Sequence, residues 1–258
     1  AHEAVLVKAG SGALTFGAPD SLGVPADFTR NTLQVPFNDI EALNAVIQRY
    51  GEDIAAVIME PIMGNVGTVL PETGYLKDVR AVTAENGIVL IFDEIITGFR
   101  VAMGGAQEYY RVTPDMTTLG KAVASGFPIG IIGGKRRIME QISPSGKVYQ
   151  AGTFNGNPVS LAAALMTIRT LERENVHKQI NTLGNSLRSQ VLEAIEELRL
   201  KFDCSISGIG SMFTIFFGKK PANYQEALLC NKAAYFEFFK RILRSGIFFP
   251  PSQYETCF

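Results

Sequence analysis

Short strand-like runs mark the first half of the chain, and a charged residue follows each of them either directly or after one glycine. They cover residues 55–59, 88–92, 116–119 and 129–133. Runs that are apolar rather than alternating are typical of strands in a parallel sheet with both faces covered. A helix predicted over residues 75–85 separates the first two runs, and Asn86 and Gly87 end it. The pattern therefore predicts an α/β fold with a mainly parallel sheet.

Apolar positions at helical spacing predict the remaining elements. Further helices are expected over residues 38–50, 104–110, 158–172, 176–198 and 224–244, and further strands over 211–217 and 247–249. The helices after about residue 175 are longer, and the first of them is clearly amphipathic. We therefore expect residues 1–175 to form part of a large α/β domain and residues 176–258 to form part of a smaller α+β domain.

Two glycine-rich stretches interrupt this pattern. Residues 1–36 combine Gly, Pro, Ser and Ala with poor periodicity, which is typical of a lid or a binding loop. A surface loop without a role is the alternative for this stretch. Residues 143–158 precede a predicted helix, whose first backbone amides could bind an anion. Ordinary capping of that helix by Asn157 is the competing interpretation.

Composition narrows the classes of function. The chain has 258 residues, 47% of them hydrophobic, which is enough for a sizeable globular core. Its 24 basic and 25 acidic residues leave a net charge of −1 without a basic stripe, which argues against nucleic-acid binding. No apolar run approaches the roughly 18 residues of a membrane span. Three widely spaced cysteines and two histidines form no metal-ligand pattern. The odd number and wide spacing of the cysteines favour a reduced, cytoplasmic setting.

The candidate chemistry lies where the strand-like runs end. Glu60 follows the first run, Asp93 follows the second, and Lys121 follows the third after one glycine. The carboxyl ends of parallel strands meet at one edge of the sheet, so these side chains should converge there. An acid at the end of an apolar strand needs a partner. Burial would make the lysine amine nucleophilic.

An acid and a lysine in this arrangement suit a pyridoxal-phosphate enzyme, in which the acid pairs with the ring nitrogen. Other interpretations remain open from the residues alone. Asp93 could cap a helix or pair with Arg100, Ile95 could be ordinary core, and Lys121 could be a surface lysine in a loop.

Four motifs carry a family resemblance: EPIMGN, FDEIITGFR, PDMTTLGK and QAGTFNGNP. Together they resemble the class III aminotransferases, which are pyridoxal-phosphate enzymes of fold type I. The segment LVKAGSGALTFGAPDSLGVP, with GGAQ and VYQAGTFNGNP, is similar to one branch of that family, the glutamate-1-semialdehyde 2,1-aminomutases. The resemblance extends from about residue 6 to residue 255.

That resemblance implies an isomerase that converts glutamate-1-semialdehyde to 5-aminolevulinate in tetrapyrrole (porphyrin) biosynthesis, using pyridoxal 5'-phosphate and pyridoxamine 5'-phosphate. A different class III aminotransferase or an amino-acid racemase is the first alternative. An inactive fragment is the second, because the family's phosphate cup and ring-stacking aromatic residue lie upstream of the segments present here. The sequence begins without Met and ends close to a predicted strand, so we expect a piece of a longer chain.

The resemblance also implies a role for each matching residue. These are Lys121 as the Schiff-base lysine, Asp93 on the pyridine nitrogen, Ile95 against the ring, Glu60 and Asn65 beside the cofactor, Gly152 and Thr153 on the neighbour's cofactor phosphate, Ser11 in a gate over about residues 1–29, and Glu255 near the substrate entrance. The implied partners are a second copy in a homodimer, a small-molecule substrate and, by family analogy, glutamyl-tRNA reductase. No metal, direct nucleic-acid contact or membrane contact is expected.

Overall fold

The computed structural model describes residues 22–199 and 202–258. Ser11 and residues 1–21 of the expected gate lie outside the described residues. Four strands form one sheet in the order β1-β2-β3-β4, and two form an antiparallel pair. They are β1 Ala56–Met59, β2 Val89–Glu94, β3 Met116–Leu119, β4 Ile131–Gly134, β5 Ser205–Ile209 and β6 Met212–Phe216. The first three strands are parallel and β4 runs antiparallel to β3, so the expected α/β fold with a mainly parallel sheet is confirmed.

The α-helices of the described residues are α1 Ala26–Thr29, α2 Ile40–Tyr50, α3 Tyr75–Glu85, α4 Gly105–Tyr110, α5 Arg136–Met139, α6 Pro158–Arg173, α7 Val176–Glu197, α8 Tyr224–Leu228 and α9 Lys232–Arg244. Short 3-10 turns follow α2 and β3, at Gly51–Asp53 and Lys121–Ala124. No helix in the described ranges has the length and apolar character needed to cross a bilayer. The domain division near residue 175 stays a prediction.

The main core lies between the sheet and one layer of helices. Leu90 and Phe92 of β2 are fully buried and pack against apolar residues of α2 and α3. We expected both faces of the strands to be covered, and that expectation is wrong for β1. Its residues alternate in burial, and Ile58 is 57% exposed. The helices α2 and α3 cover the opposite face, where Val57 and Met59 join the core.

The second half of the chain differs from the sequence pattern in three places. The helix predicted over 224–244 is interrupted, because the Asn231 side chain accepts a hydrogen bond from the Ala234 N–H and caps a new helix, α9. The strand predicted over 247–249 is absent, and the Ile247 N–H instead bonds back to the Ile242 carbonyl at the end of α9. Strand β5 was not predicted, since its SISGI sequence lacks a sustained apolar pattern.

Candidate active site

The carboxyl ends of the three parallel strands bring the predicted site residues together. In the sheet register Met59 of β1 lies beside Phe92 of β2, so Glu60 and Asp93 follow as neighbours. Asp93 lies beside Thr118 of β3, and Lys121 comes directly after that strand and one glycine. The convergence expected from the strand ends is therefore present in the fold.

The carboxylate of Asp93 is held from two directions through one of its oxygens. The Ile95 N–H donates to Oδ1 at 3.0 Å, and the Thr118 hydroxyl donates to the same oxygen at 3.2 Å. The alternative of an ion pair with Arg100 is not what the fold adopts. The Arg100 Nε–H donates to the Ile96 carbonyl, and its guanidinium lies 3.6 Å from the centre of the Phe258 ring.

Lys121 lies at the start of a short turn, and apolar contacts of the following residues hold that turn in place. Its backbone lies in the left-handed region with φ of 45°, which is uncommon for a residue other than glycine. Two residues on, Val123 and Ala124 are fully buried against Ala164 of α6. The apolar contact fixes the turn, and the lysine side chain lies at the surface.

We expected Lys121 to be buried, and that expectation is wrong, because its side chain is exposed among the residues that the structure describes. The side chain borders an open cavity of about 520 Å³, together with Arg100 and residues 125–129. An amine in this position is accessible to a small molecule that enters the cavity.

Ile95 lies close to the backbone that leads into Lys121. A Cβ atom on Gly120 would be 3.6 Å from the Ile95 Cγ2 and 3.3 Å from the Ile129 carbonyl oxygen. The half-buried Ile95 thus lies beside the lysine turn, and its contact with a cofactor ring stays a prediction.

Glu60 is tied to the loop that contains Asn65. Its carboxylate accepts hydrogen bonds from the Gly64 N–H at 2.9 Å and from the Asn65 side-chain amide at 3.0 Å. Burial raises the pKa of Glu60 above its usual value, and these two hydrogen bonds oppose that shift in part. The charge of Asp93 raises the pKa further, whereas the charge of Lys121 lowers it. The pKa of Glu60 therefore depends on the charges of both Asp93 and Lys121.

The end of the chain, residues 254–258, packs against the same loop. The Gly67 N–H donates to the Tyr254 carbonyl at 2.7 Å, and the Thr256 hydroxyl donates to the Gly64 carbonyl at 3.0 Å. Glu255 lies between these two attached residues, with an exposed side chain. The fold thus brings Glu255 to the Asn65 loop although 190 residues separate them in sequence.

Gly152 and Thr153 are exposed in a turn before α6 and do not reach this chain's own strand ends through any contact of the described residues. Asn157 caps α6 by accepting hydrogen bonds from the Val159 and Ser160 N–H groups. The capping interpretation is therefore correct for Asn157, and the role of Thr153 stays a prediction.

Glu94, the acid next to Asp93, supports the fold around the site. The sequence pattern alone did not show that the two adjacent acids have different roles. Glu94 is fully buried on the opposite face of β2. Its carboxylate accepts hydrogen bonds from the Thr97 hydroxyl, the Ala106 N–H, and both the backbone and side-chain N–H groups of Gln107. The strand period of two could have separated the roles of the adjacent acids, because neighbouring side chains face opposite ways.

The segment that carries Arg100 is held by α7. The His177 Nε2 lies 3.0 Å from the Phe99 carbonyl oxygen, and the Asn181 amide donates to the Val101 carbonyl at 3.2 Å. These two side chains lie about one helical turn apart and attach the second half of the chain to the edge of the cavity. Their role depends on tertiary contacts that no local sequence pattern indicates.

Comparisons with a protein-family model and with individual proteins place the chain in the same family. A protein-family model described as aminotransferase class-III matches residues 12–257. A glutamate-1-semialdehyde 2,1-aminomutase of Methanococcoides burtonii is 61% identical over 258 residues, which are 100% of this chain and 61% of the relative. The chain thus spans about 60% of the length of such relatives.

Solved structures share the fold. An omega-transaminase from Sphaerobacter thermophilus has a TM-score of 0.87 at 31% identity, covering 100% of this chain and 60% of its own. A glutamate-1-semialdehyde aminomutase from Pseudomonas aeruginosa, in complex with PMP, has a TM-score of 0.83 at 27% identity, covering 99% of this chain and 58% of its own.

Proposed function

Because the chain belongs to the class III aminotransferase family, we propose that it carries the lysine and acid of a pyridoxal-phosphate-dependent aminomutase. The proposed reaction converts glutamate-1-semialdehyde to 5-aminolevulinate, a step of tetrapyrrole biosynthesis. The observation that supports the chemistry most directly is the convergence of Glu60, Asp93 and Lys121 at the carboxyl ends of adjacent strands. The choice of substrate rests on relatives of that name, such as the one that is 61% identical.

The residues present fit pyridoxal phosphate and its amine form. Lys121 offers an accessible amine at a cavity, and Ile95 offers an apolar surface next to Gly120, the residue that precedes the lysine. Within the described residues, both hydrogen bonds to the Asp93 carboxylate end on Oδ1, which leaves Oδ2 for a protonated ring nitrogen. When bound, the cofactor supplies an electron sink and carries the amino group.

Each residue then has a physical task. Lys121 Nζ would hold the cofactor, and once free it would act as general base and acid, moving a proton between the cofactor carbon and the substrate. Asp93 would keep the ring nitrogen in its charged form, and Ile95 would lie against the face of the ring. Glu60 keeps Asn65 in place beside the reacting groups. Glu255 is attached close to that loop, where it can influence substrate entry.

We further propose a homodimer in which Gly152 and Thr153 of one subunit contact the cofactor phosphate of the other. Support comes from exposed apolar side chains in residues 149–165, the stretch of sequence that contains Thr153. They include Tyr149, Phe154, Val159, Leu161 and Leu165, and the first two are 84% and 83% exposed. A cytoplasmic location and a contact with glutamyl-tRNA reductase are proposals from cysteine usage and from the family resemblance, respectively.

The decisive assay supplies glutamate-1-semialdehyde to the cofactor-loaded protein without any keto acid. We expect 5-aminolevulinate to form, because the amino group moves within one molecule. The matched variants are Lys121→Ala, which should lose the activity, and Lys77→Ala, at an exposed lysine of α3, which should retain it. Absence of product from the wild-type protein, with amino transfer to an added keto acid, would overturn the aminomutase assignment.

An ordinary class III transaminase is the second candidate. The omega-transaminase structure is more similar to this chain, in both identity and TM-score, than the aminomutase structure described above. The same assay separates the two candidates, since a transaminase needs a separate amino acceptor.

A further inference from the structure

Thr118 and Asp93 form a side-chain pair across two parallel strands. They are register neighbours on β3 and β2, and the Thr118 hydroxyl lies 3.2 Å from Asp93 Oδ1. Both are half-buried, so solvent has limited access to the pair. A β-branched threonine has a stiff side-chain torsion on a strand, which keeps its hydroxyl directed at the same point.

Two donors on one oxygen define the rotation of the Asp93 carboxylate. Thr118 donates from the neighbouring strand, and the Ile95 N–H donates from two residues further along the chain. A single donor would let the carboxylate swing about that one contact, whereas two donors from different directions restrict it. Across the described ranges, no hydrogen bond to Oδ2 accompanies them.

The adjacent Thr117 has a different task. Its hydroxyl accepts a hydrogen bond from the Gln107 side-chain amide at 3.2 Å, in the group that surrounds Glu94 on the opposite face of the sheet. Two threonines of one strand thus support the two adjacent acids of β2 separately, Thr117 on the side of Glu94 and Thr118 on the side of Asp93.

We propose that Thr118 is a positioning residue for the cofactor: with the Ile95 N–H, it holds Asp93 Oδ1 so that Oδ2 is kept for the ring nitrogen of pyridoxal phosphate. The inference rests on the proposed function, and it assigns a task to the hydroxyl of Thr118, the second threonine of the TTLGK segment. The hydroxyl also places a donor on a negatively charged carboxylate, and such charge-assisted hydrogen bonds are stronger than neutral ones.

Thr118→Val tests the inference, because it keeps the shape of the side chain and replaces the hydroxyl with a methyl group that cannot donate a hydrogen bond. We expect affinity for pyridoxal 5'-phosphate to fall about ten-fold, and the midpoint pH of the bound cofactor's visible spectrum to shift. Thr118→Ser should restore both quantities toward wild type, since it returns the donor. A role limited to sheet stability would change the melting temperature without moving the spectral midpoint.

Thr117→Val is the matched control on the same strand. It removes a threonine hydroxyl from the opposite face, so it should leave the cofactor affinity and the spectral midpoint unchanged. If Thr118→Val does not fold, Thr118→Ala provides the same comparison with less crowding. Wild-type affinity and an unshifted midpoint in the folded Thr118 variant would overturn the inference and leave the proposed function intact. Failure of the wild-type protein to bind the cofactor would overturn both.

Discussion

Asp115, which precedes β3, joins one strand of the large sheet to two helices through one buried carboxylate. The side chain is 3% exposed, and its Oδ2 accepts hydrogen bonds from Arg80 Nη1 at 2.7 Å and from the Leu90 N–H at 2.9 Å. Its Oδ1 lies 2.5 Å from Lys135 Nζ. Asp115 therefore links α3, β2 and the start of α5, below the strand ends that form the candidate site.

Asp115→Ala should destabilise the fold substantially. Removal of one partner from a buried ion pair costs about 3–5 kcal/mol, because the remaining charge stays unpaired. The Arg80 and Lys135 side chains are 21% and 50% exposed, so water can solvate them in part. We therefore expect a loss of about 3 kcal/mol, or about 6–12 °C in melting temperature. Asp115→Asn keeps an acceptor for the Leu90 N–H and should cost about 1–2 kcal/mol.

The effect of Asp115→Asn should depend on pH in a defined direction. Burial by itself would raise the pKa of Asp115, but the hydrogen bonds from Lys135, the Leu90 N–H and Arg80 outweigh burial and hold that pKa well below its usual range. A carboxyl with a lowered pKa contributes stability above its unfolded pKa of about 3.9, and that contribution is lost as the pH falls through the folded value. The wild-type advantage should therefore be constant at neutral pH and shrink below about pH 4.

Urea unfolding followed by circular dichroism, at neutral pH and at pH 4 or below, measures both quantities. Glu140→Ala is the control, since Glu140 forms an exposed ion pair with Arg136 at 3.6 Å and should contribute less than about 0.5 kcal/mol. Equal stability of wild type and Asp115→Asn at pH 7 would refute the reasoning, as would a difference that stays constant into acid.

Three further changes test the framework of the site. Glu94→Ala should cost about 3–5 kcal/mol in urea unfolding, because two backbone N–H groups at the start of α4 lose their acceptor, whereas Glu94→Gln should cost less. Gly67→Ala should lower the free energy of unfolding by more than about 2 kcal/mol, since φ is 80° and the new Cβ atom would lie 2.5 Å from the Phe216 ring of β6. Its control, Gly87→Ala, has a φ of 67° but open space around the new Cβ atom, and should lower it by about 1 kcal/mol. Thr256→Val should speed amide hydrogen exchange at Gly67 while Thr256→Ser does not, because the hydroxyl attaches the chain end to the 60–70 loop.

The sheet and the approximate positions of Asp93 and Lys121 could be predicted, because an apolar run that ends in a charged residue is visible in the sequence itself. The exposure of Lys121 could not, since it depends on what packs around the turn rather than on its small neighbours. The break at Asn231 and the absence of a strand over 247–249 were likewise set by capping and by tertiary contacts.

The different tasks of Thr117 and Thr118 show a second limit. The two residues are identical and adjacent in sequence, so composition and motif cannot separate them. The register of β3 against β2 places Thr118, and not Thr117, beside Asp93. The contacts that attach Glu255 to the Asn65 loop have the same character, because they join residues that lie far apart in sequence, Gly64 and Gly67 with Thr256 and Tyr254.

The proposed attachment of the cofactor to Lys121, beside Asp93, is tested most directly by reductive trapping. The protein is loaded with pyridoxal 5'-phosphate, reduced with borohydride, digested, and analysed by peptide mass spectrometry. We predict the mass of the reduced phosphopyridoxyl group on the peptide that contains Lys121, and its loss in Lys121→Ala. A label on a different lysine of the wild-type protein, with Lys121 unmodified, would contradict the account.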